Sequence, residues 1–188
     1  MAELDAAINN VLKFKNVDQV GIVVHDIKDA IRNYRQKLGI RTWYRAVSAP
    51  DDDGSVFFRG QKLNSDIEFV LGYCGGLQFE LVQSSGDANI YSEHLEKHGE
   101  GLHHVCFFVS DLERKLAAYK KLDIEPVQTG RVKGKGGAIT HYAYLENGKT
   151  NGLCIEMSET RLYGLPTKMS PFMMKVGMLT GDLEVVEY

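Results

Sequence analysis

The sequence predicts an α+β fold in which two tandem βαβββ modules face each other as a paired half-barrel, followed by a C-terminal extension. Two internal echoes carry this. VDQVGIVVHDIKDAIRNYRQKLGI, from Val17, returns as LHHVCFFVSDLERKLAAYKKLDI, so that at one constant offset Gln19 falls on His104, Asp26 on Asp111 and Tyr34 on Tyr119. GLQFELVQ from Gly76 returns as GLCIEMSE from Gly152, which superposes Glu80 on Glu156. Self-similarity of this kind marks a repeated structural unit. Four residues able to bind a metal therefore occupy matched positions of two half-domains, as a pseudo-twofold nitrogen and oxygen site requires.

The elements follow in order. Residues 1–16 read as a lead-in with a short amphipathic pattern. In VDQVGIVV, Val20, Ile22 and Val24 alternate with Gln19, Gly21 and Val23, the period of a strand. Asp26 then caps a helix whose apolar positions Ile27, Ile31, Tyr34 and Leu38 share one face, and Gly39 ends it. Strand character returns from Arg41 to Ser48. DIEFVLGY, from Asp66, turns through Cys74-Gly75-Gly76 into LQFELVQ, a hairpin signal. Residues 50–54, PDDDG, form a polar loop placed to cover the open face of this half.

The second half repeats the plan. Val105, Phe107 and Val109 alternate with His104, Cys106 and Phe108, and Asp111 opens a helix carrying Leu112, Leu116, Tyr119 and Leu122. PVQTGRVK, AITHYAYLE and GLCIEMS follow as strands, with KGKGG and ENGKTNG as turns. The modules thus span 17–86 and 102–159, joined by a linker at 87–101 whose ANIYSEHLEKHGEG pattern is a short helix stopped by glycines. In the extension, 160–188, Ser170-Pro171 is an N-cap and first-turn pair ahead of an apolar helix. The methionines around it read as packing.

Composition narrows the function classes. A formal net charge of −3 gives no electrostatic reason to expect a nucleic acid or an anionic membrane as partner. No apolar run reaches membrane-spanning length and no leader pattern is present, so a cytoplasmic location is expected. Cys74, Cys106 and Cys154 lack CxxC spacing and read as reduced thiols.

Glu80 and Glu156 sit in otherwise apolar strands, where an unpaired carboxylate is costly and a cation is needed. His104 is either a ligand or a hydrogen-bonded core histidine, and Gln19 either a ligand or a partner for a neighbouring strand. His103 points to the other face. Lys133 and Lys135 read as flanking a turn, with a phosphate contact as the alternative.

The repeated βαβββ unit, HHVCFFVSD and the acidic GLCIEM strand resemble the vicinal oxygen chelate, or glyoxalase/bleomycin resistance/dioxygenase, superfamily. Within it, ANIYSEHLEKHGEGLHHVCFFVSDL is similar to methylmalonyl-CoA epimerases. That resemblance implies an isomerase that moves the proton next to a carbonyl, on an acyl-CoA or another activated ketone. It implies one divalent metal ion (Co, Ni, Mn, Mg or Zn) on Gln19, Glu80, His104 and Glu156, and acid/base carboxylates at Glu156 and Glu68. A small-molecule substrate and a homodimer are the expected partners.

Two positions depart from the epimerases, which usually carry His at Gln19 and Gln at Glu80. The set Gln, Glu, His, Glu resembles lactoylglutathione lyases of the glyoxalase I type, the first alternative. Those lyases hold glutathione with arginines at positions occupied here by Val23 and Glu100. A bleomycin-resistance-type binding protein is the second alternative.

Overall fold

A computed structural model describes residue 8, residues 10–145 and residues 147–188. Half of the predicted lead-in thus lies outside the described residues, at 1–7 and 9; of the remainder, Ile8 is buried and the Phe14 ring stacks on Phe107 at 4.2 Å.

The first module contains β1 (Gln19–Val23), α1 (Ile27–Leu38), β2 (Trp43–Ala46), a short hairpin β3 (Val56–Phe58) and β4 (Gln61–Lys62), then β5 (Ser65–Cys74) and β6 (Leu77–Gly86). The linker holds α2 (Ile90–His98). The second module contains β7 (Gly101–Phe108), α3 (Leu112–Lys120), β8 (Pro126–Lys133), β9 (Ala138–Leu145) and β10 (Ile155–Leu162). The extension adds β11 (Leu165–Thr167), α4 (Pro171–Thr180) and β12 (Leu183–Val185).

Each module places its first strand parallel to its last, β1 beside β6 and β7 beside β10. The resulting halves, β2-β5-β6-β1 and β7-β10-β9-β8, join through the antiparallel pair β1 and β7 into one curled mixed sheet. This is the predicted architecture, and its helices form where the caps predicted them. The Asp26 side chain accepts the Asp29 N–H at 2.9 Å, and Gly39 takes the left-handed conformation that closes α1. At α3 the cap differs from expectation. Asp111 holds the N-cap position without a side-chain hydrogen bond, and the Leu112 N–H is instead accepted by Glu159 of β10 at 2.9 Å.

Three features tie the curl together. The segment after β2 crosses to the other module: the Ala49 N–H reaches the Lys133 carbonyl at 2.8 Å, and β3 pairs with β8. In the predicted polar loop, Asp51 pairs with Lys133, and Asp52 and Asp53 with Arg131. The extension completes the closure, with β12 pairing the outer edge of β2. Beside it, buried Asp182 accepts the N–H groups of Gly136 and Ala138 at 2.9 and 3.1 Å and bonds the Thr180 hydroxyl at 2.6 Å. A Cβ at Gly134 would meet the Asp182 carboxylate, which accounts for a glycine in KGKGG at that point.

The helices cover the outer face. Trp43, fully buried, packs with Ile22, Ile27, Ile31, Val70 and Leu81 under α1. Leu112, Tyr119, Leu145 and Met157 form the matching cluster under α3. Met174 of α4 is buried against Leu71 and Leu183, so this methionine is packing, as the sequence suggested. Cys106 and Cys154 are buried free thiols, and Cys74 is exposed. Among the described residues no helix is long and apolar enough to cross a membrane.

Candidate metal centre

The four central strands carry the candidate ligands. Gly21 of β1 lies beside Glu80 of β6, and its repeat equivalent Cys106 of β7 lies beside Glu156 of β10. Across the module joint Gln19 pairs with Cys106 and Gly21 with His104. The registers match because the repeats do, and Gln19, Glu80, His104 and Glu156 are all buried.

Among the described residues, one group of acidic, histidine or cysteine side chains converges tightly enough for a metal ion, namely Glu80, His104 and Glu156, with ligand atoms within 4.8 Å of one another. His104 Nε2 lies 3.3 Å from a Glu80 oxygen and 3.0 Å from a Glu156 oxygen. Yet His104 Nε2, Glu156 Oε2 and Gln19 Oε1 are buried and have no hydrogen-bond partner. Buried polar atoms are almost always satisfied. An imidazole nitrogen and a carboxylate oxygen 3.0 Å apart, with an amide oxygen on the adjoining strand, are donors that a cation would satisfy. Two carboxylates and a neutral imidazole also balance a dication, and nitrogen and oxygen donors suit a first-row divalent metal or magnesium. The residues fit the ion.

Gln19 has the partner on a neighbouring strand that its sequence left open. Its Nε2 donates to Gln78 Oε1 at 2.7 Å, and Gln78 Nε2 donates to the Tyr73 hydroxyl at 2.7 Å. The amide is thereby held by its nitrogen while its oxygen is buried without a hydrogen bond.

Glu68 is placed elsewhere. Ile67, Phe69 and Leu71 of β5 face the cavity with Glu80 and Val82. Glu68, on the alternate face of the same strand, is half-exposed and pairs with Arg45 at 3.3 Å.

Gly21 is a site residue that the sequence reading passed over. A Cβ there would fall inside the His104 imidazole. The ring lies flat over β1, which only a glycine permits. The signal was a glycine in the middle of an apolar strand.

The cavity in front of the centre encloses about 100 Å³, walled by Ile67, Phe69, Leu71, Tyr91, Tyr142 and Tyr144 and reached by Met169 of the extension. Burial holds the Tyr142 and Tyr144 hydroxyls well above the usual phenol range, with the charge of Glu156 adding to it, so both stay protonated.

Electrostatics of the cluster are unbalanced without a cation. Burial pushes the Glu80 carboxyl up, His104 pulls it back, and the charge of Glu156 raises it again. For His104, burial lowers the pKa, but contact with Glu156 and Glu80 more than reverses this and leaves it pushed up to about 9. In the metal-free protein the imidazolium thus stands in for the missing charge. A group whose folded pKa exceeds its unfolded value of about 6.5 stabilises the fold fully below that value and loses the contribution as pH rises through the folded one. Metal-free protein is therefore expected to lose thermal stability between about pH 6.5 and pH 9. A saturating divalent ion, which needs the neutral imidazole, is expected to remove the loss. Melting curves across that range with chelator and with metal check both statements; a chelated protein with constant Tm contradicts the first.

The fold and the site define a protein of the paired βαβββ class with a buried Glu/His/Glu cluster of the kind that can hold a metal ion. Residues 18–144 match the sequence profile of the Glyoxalase/Bleomycin resistance protein/Dioxygenase superfamily, and the chain belongs to that superfamily. Among curated proteins it is similar to the Bacillus subtilis uncharacterized protein YqjC, 25% identical over 146 residues, which cover 77% of this chain and 92% of that one. Among solved structures it is similar to methylmalonyl-CoA epimerase from Mycobacterium tuberculosis, with TM-score 0.54 and 21% identity over 77% of this chain and 87% of the other. It is also similar to the Streptomyces coelicolor epimerase in complex with 2-nitronate-propionyl-CoA, with TM-score 0.54 and 18% identity over 78% and 97% of the two chains. At these identities the structural likeness concerns the fold.

Proposed function

We propose that this chain is a metal-dependent isomerase, an epimerase or racemase, that moves the proton on a carbon next to a carbonyl. The observation carrying the reading is the pair of buried carboxylates, Glu80 and Glu156, that flank His104 from repeat-related strands at the end of a small, largely apolar cavity. Likeness in fold to methylmalonyl-CoA epimerases supports the class. Gln19, Glu80, His104 and Glu156 would hold a divalent ion, which when bound draws charge onto a carbonyl oxygen and so acidifies the adjacent carbon. Glu156 takes the proton from one face of that carbon, and a carboxyl on the other face returns one. Glu80 suits the second role better than Glu68, which lies outside the cavity against Arg45.

Of the two substrate types considered, the walls favour an activated ketone over an acyl-CoA. No lysine or arginine lines the cavity among the described residues. In the adjoining cleft, which shares Ile67, Phe69 and Tyr142 with the cavity, Arg45 is engaged by Glu68 and Glu184, and Arg131 by Asp52 and Asp53, which leaves little positive charge there for a polyphosphate tail. The ligand set favours a second reading, a glyoxalase I-type lyase, in which the same carboxylates return the proton to the neighbouring carbon.

Metal analysis of untagged protein, followed by proton NMR of candidate ketones and thioesters in D₂O, tests the reading. Deuterium is expected at the α-carbon, with an enantiomer mixture otherwise unchanged. His104→Ala is expected to lose both metal and exchange while keeping its fold. Net conversion to a hydroxy acid would favour the lyase, and tight ligand binding without exchange would favour a bleomycin-resistance-type binding protein.

Homodimerisation is part of the proposal. On α4, Phe172 and Leu179 are 71% and 89% exposed while Met174 is buried, so the helix presents a second apolar face to a partner. Light scattering at micromolar concentration is expected to give twice the chain mass, and a monomer would remove this part.

A further inference from the structure

We infer that His103 is the positioning residue of the metal centre: its Nδ1 accepts the Nδ1 proton of His104 and holds that imidazole with the Nε2 lone pair aimed between Glu80 and Glu156. The inference rests on the metal-site reading above.

Adjacent residues of a regular strand point to opposite faces, so the rings of His103 and His104 would not meet. Here β7 is irregular. Gly21 pairs with His104 and Ile22 with Leu102, which leaves His103 as an extra residue without a partner on β1. Such a bulge re-aims a side chain. The two Nδ1 atoms come to lie 2.9 Å apart with the rings almost perpendicular. Two ring nitrogens at that distance share one proton, and the remaining question is which ring supplies it.

The surroundings answer it. His104 Nε2 faces the Glu80 and Glu156 carboxylates and has no hydrogen-bond partner. A ligand to a cation at that point must present a lone pair there, so its proton sits on Nδ1 and His103 is the acceptor. His103 is itself fixed. The rings of Tyr91, in the first turn of α2, and of His94 pack on it at 5.3 and 5.1 Å between centroids. The Asn89 side chain accepts the Tyr91 and Ser92 N–H groups and secures that first turn. The helix between the modules thereby supports a ligand of the second one.

The repeat sharpens the point. The equivalent of His103 in the first module is Asp18, which accepts the Phe108 N–H at 2.9 Å and pairs with Lys168, away from Gln19. Gln19 has no tautomer to fix and takes its orientation from Gln78.

Cobalt(II) alone, titrated into metal-free wild-type, His103→Leu and His103→Asn proteins, tests this. Loss of an outer partner of a ligating histidine lowers metal affinity by about 10- to 100-fold. That loss is expected for His103→Leu, with the metal-free unfolding midpoint little changed. Asn can accept the same proton through its amide oxygen and is expected to recover most of the affinity, which a purely space-filling role would not allow. Equal affinity in all three proteins overturns the inference and leaves the metal site standing. Wild-type protein that binds no cobalt overturns both. Nitrogen-15 NMR of zinc-loaded wild-type protein gives a reading that needs no variant: His104 is expected to carry its proton on Nδ1, and a proton on Nε2 overturns the assignment.

Discussion

Glu156→Gln is expected to keep much of the bound metal and to lose exchange of a substrate α-proton by about two orders of magnitude or more, the usual scale of a general base. Glutamine preserves the side-chain volume and an oxygen donor but removes the charge that accepts a proton. The Glu156 oxygen nearest His104 is buried, 3.0 Å from the imidazole Nε2. Metal content by elemental analysis and deuterium uptake by NMR separate the two effects. Full exchange in this variant, with a defined substrate, would end the two-carboxylate mechanism.

Gly21→Ala is expected to abolish metal binding at micromolar concentrations without touching a ligand. The added methyl occupies the space of the His104 ring, and that ring is 1% exposed, with Tyr144 packed at 5.1 Å between centroids. It has nowhere to retreat. Overpacking of this kind also costs about 1–3 kcal/mol of stability, so the variant should melt earlier yet still fold cooperatively. Gly76→Ala, at an exposed turn where a Cβ meets nothing, is the control. Wild-type metal affinity in Gly21→Ala would mean that His104 is not held over β1 as described.

Much of this was legible because the chain states its plan twice. One constant offset put Gln19 on His104 and another Glu80 on Glu156, and matched strands then delivered the side chains to one centre. The face of Glu68 could also have been read. A two-residue turn at Gly75-Gly76 pairs Cys74 with Leu77, which sets Leu71 opposite Glu80 and Glu68 opposite Gln83. The odd-numbered residues of β5 therefore share the cavity face, and Glu68 does not. Resemblance to a family motif had suggested a role that strand parity disfavours. Other features had no local signal. The β3–β4 hairpin forms against β8 of the other module, β12 forms against β2, and Glu159 caps a helix that begins 47 residues earlier in the chain. Each depends on a partner distant in sequence, which periodicity within a window cannot reveal. The bulge at His103 belongs with them, since alternation predicted the opposite face.

The clasp made by β12 and Asp182 also bears on how the molecule can open. β12 covers the edge of β2, a strand from which it is far removed along the chain. Whenever β12 is undocked, β2 presents open main-chain N–H and C=O groups, the template through which strands aggregate. Closing so long a stretch of chain also exacts its entropy before the contacts reward it. The short strand thus acts as a latch, and its release would turn a covered sheet edge into a sticky one.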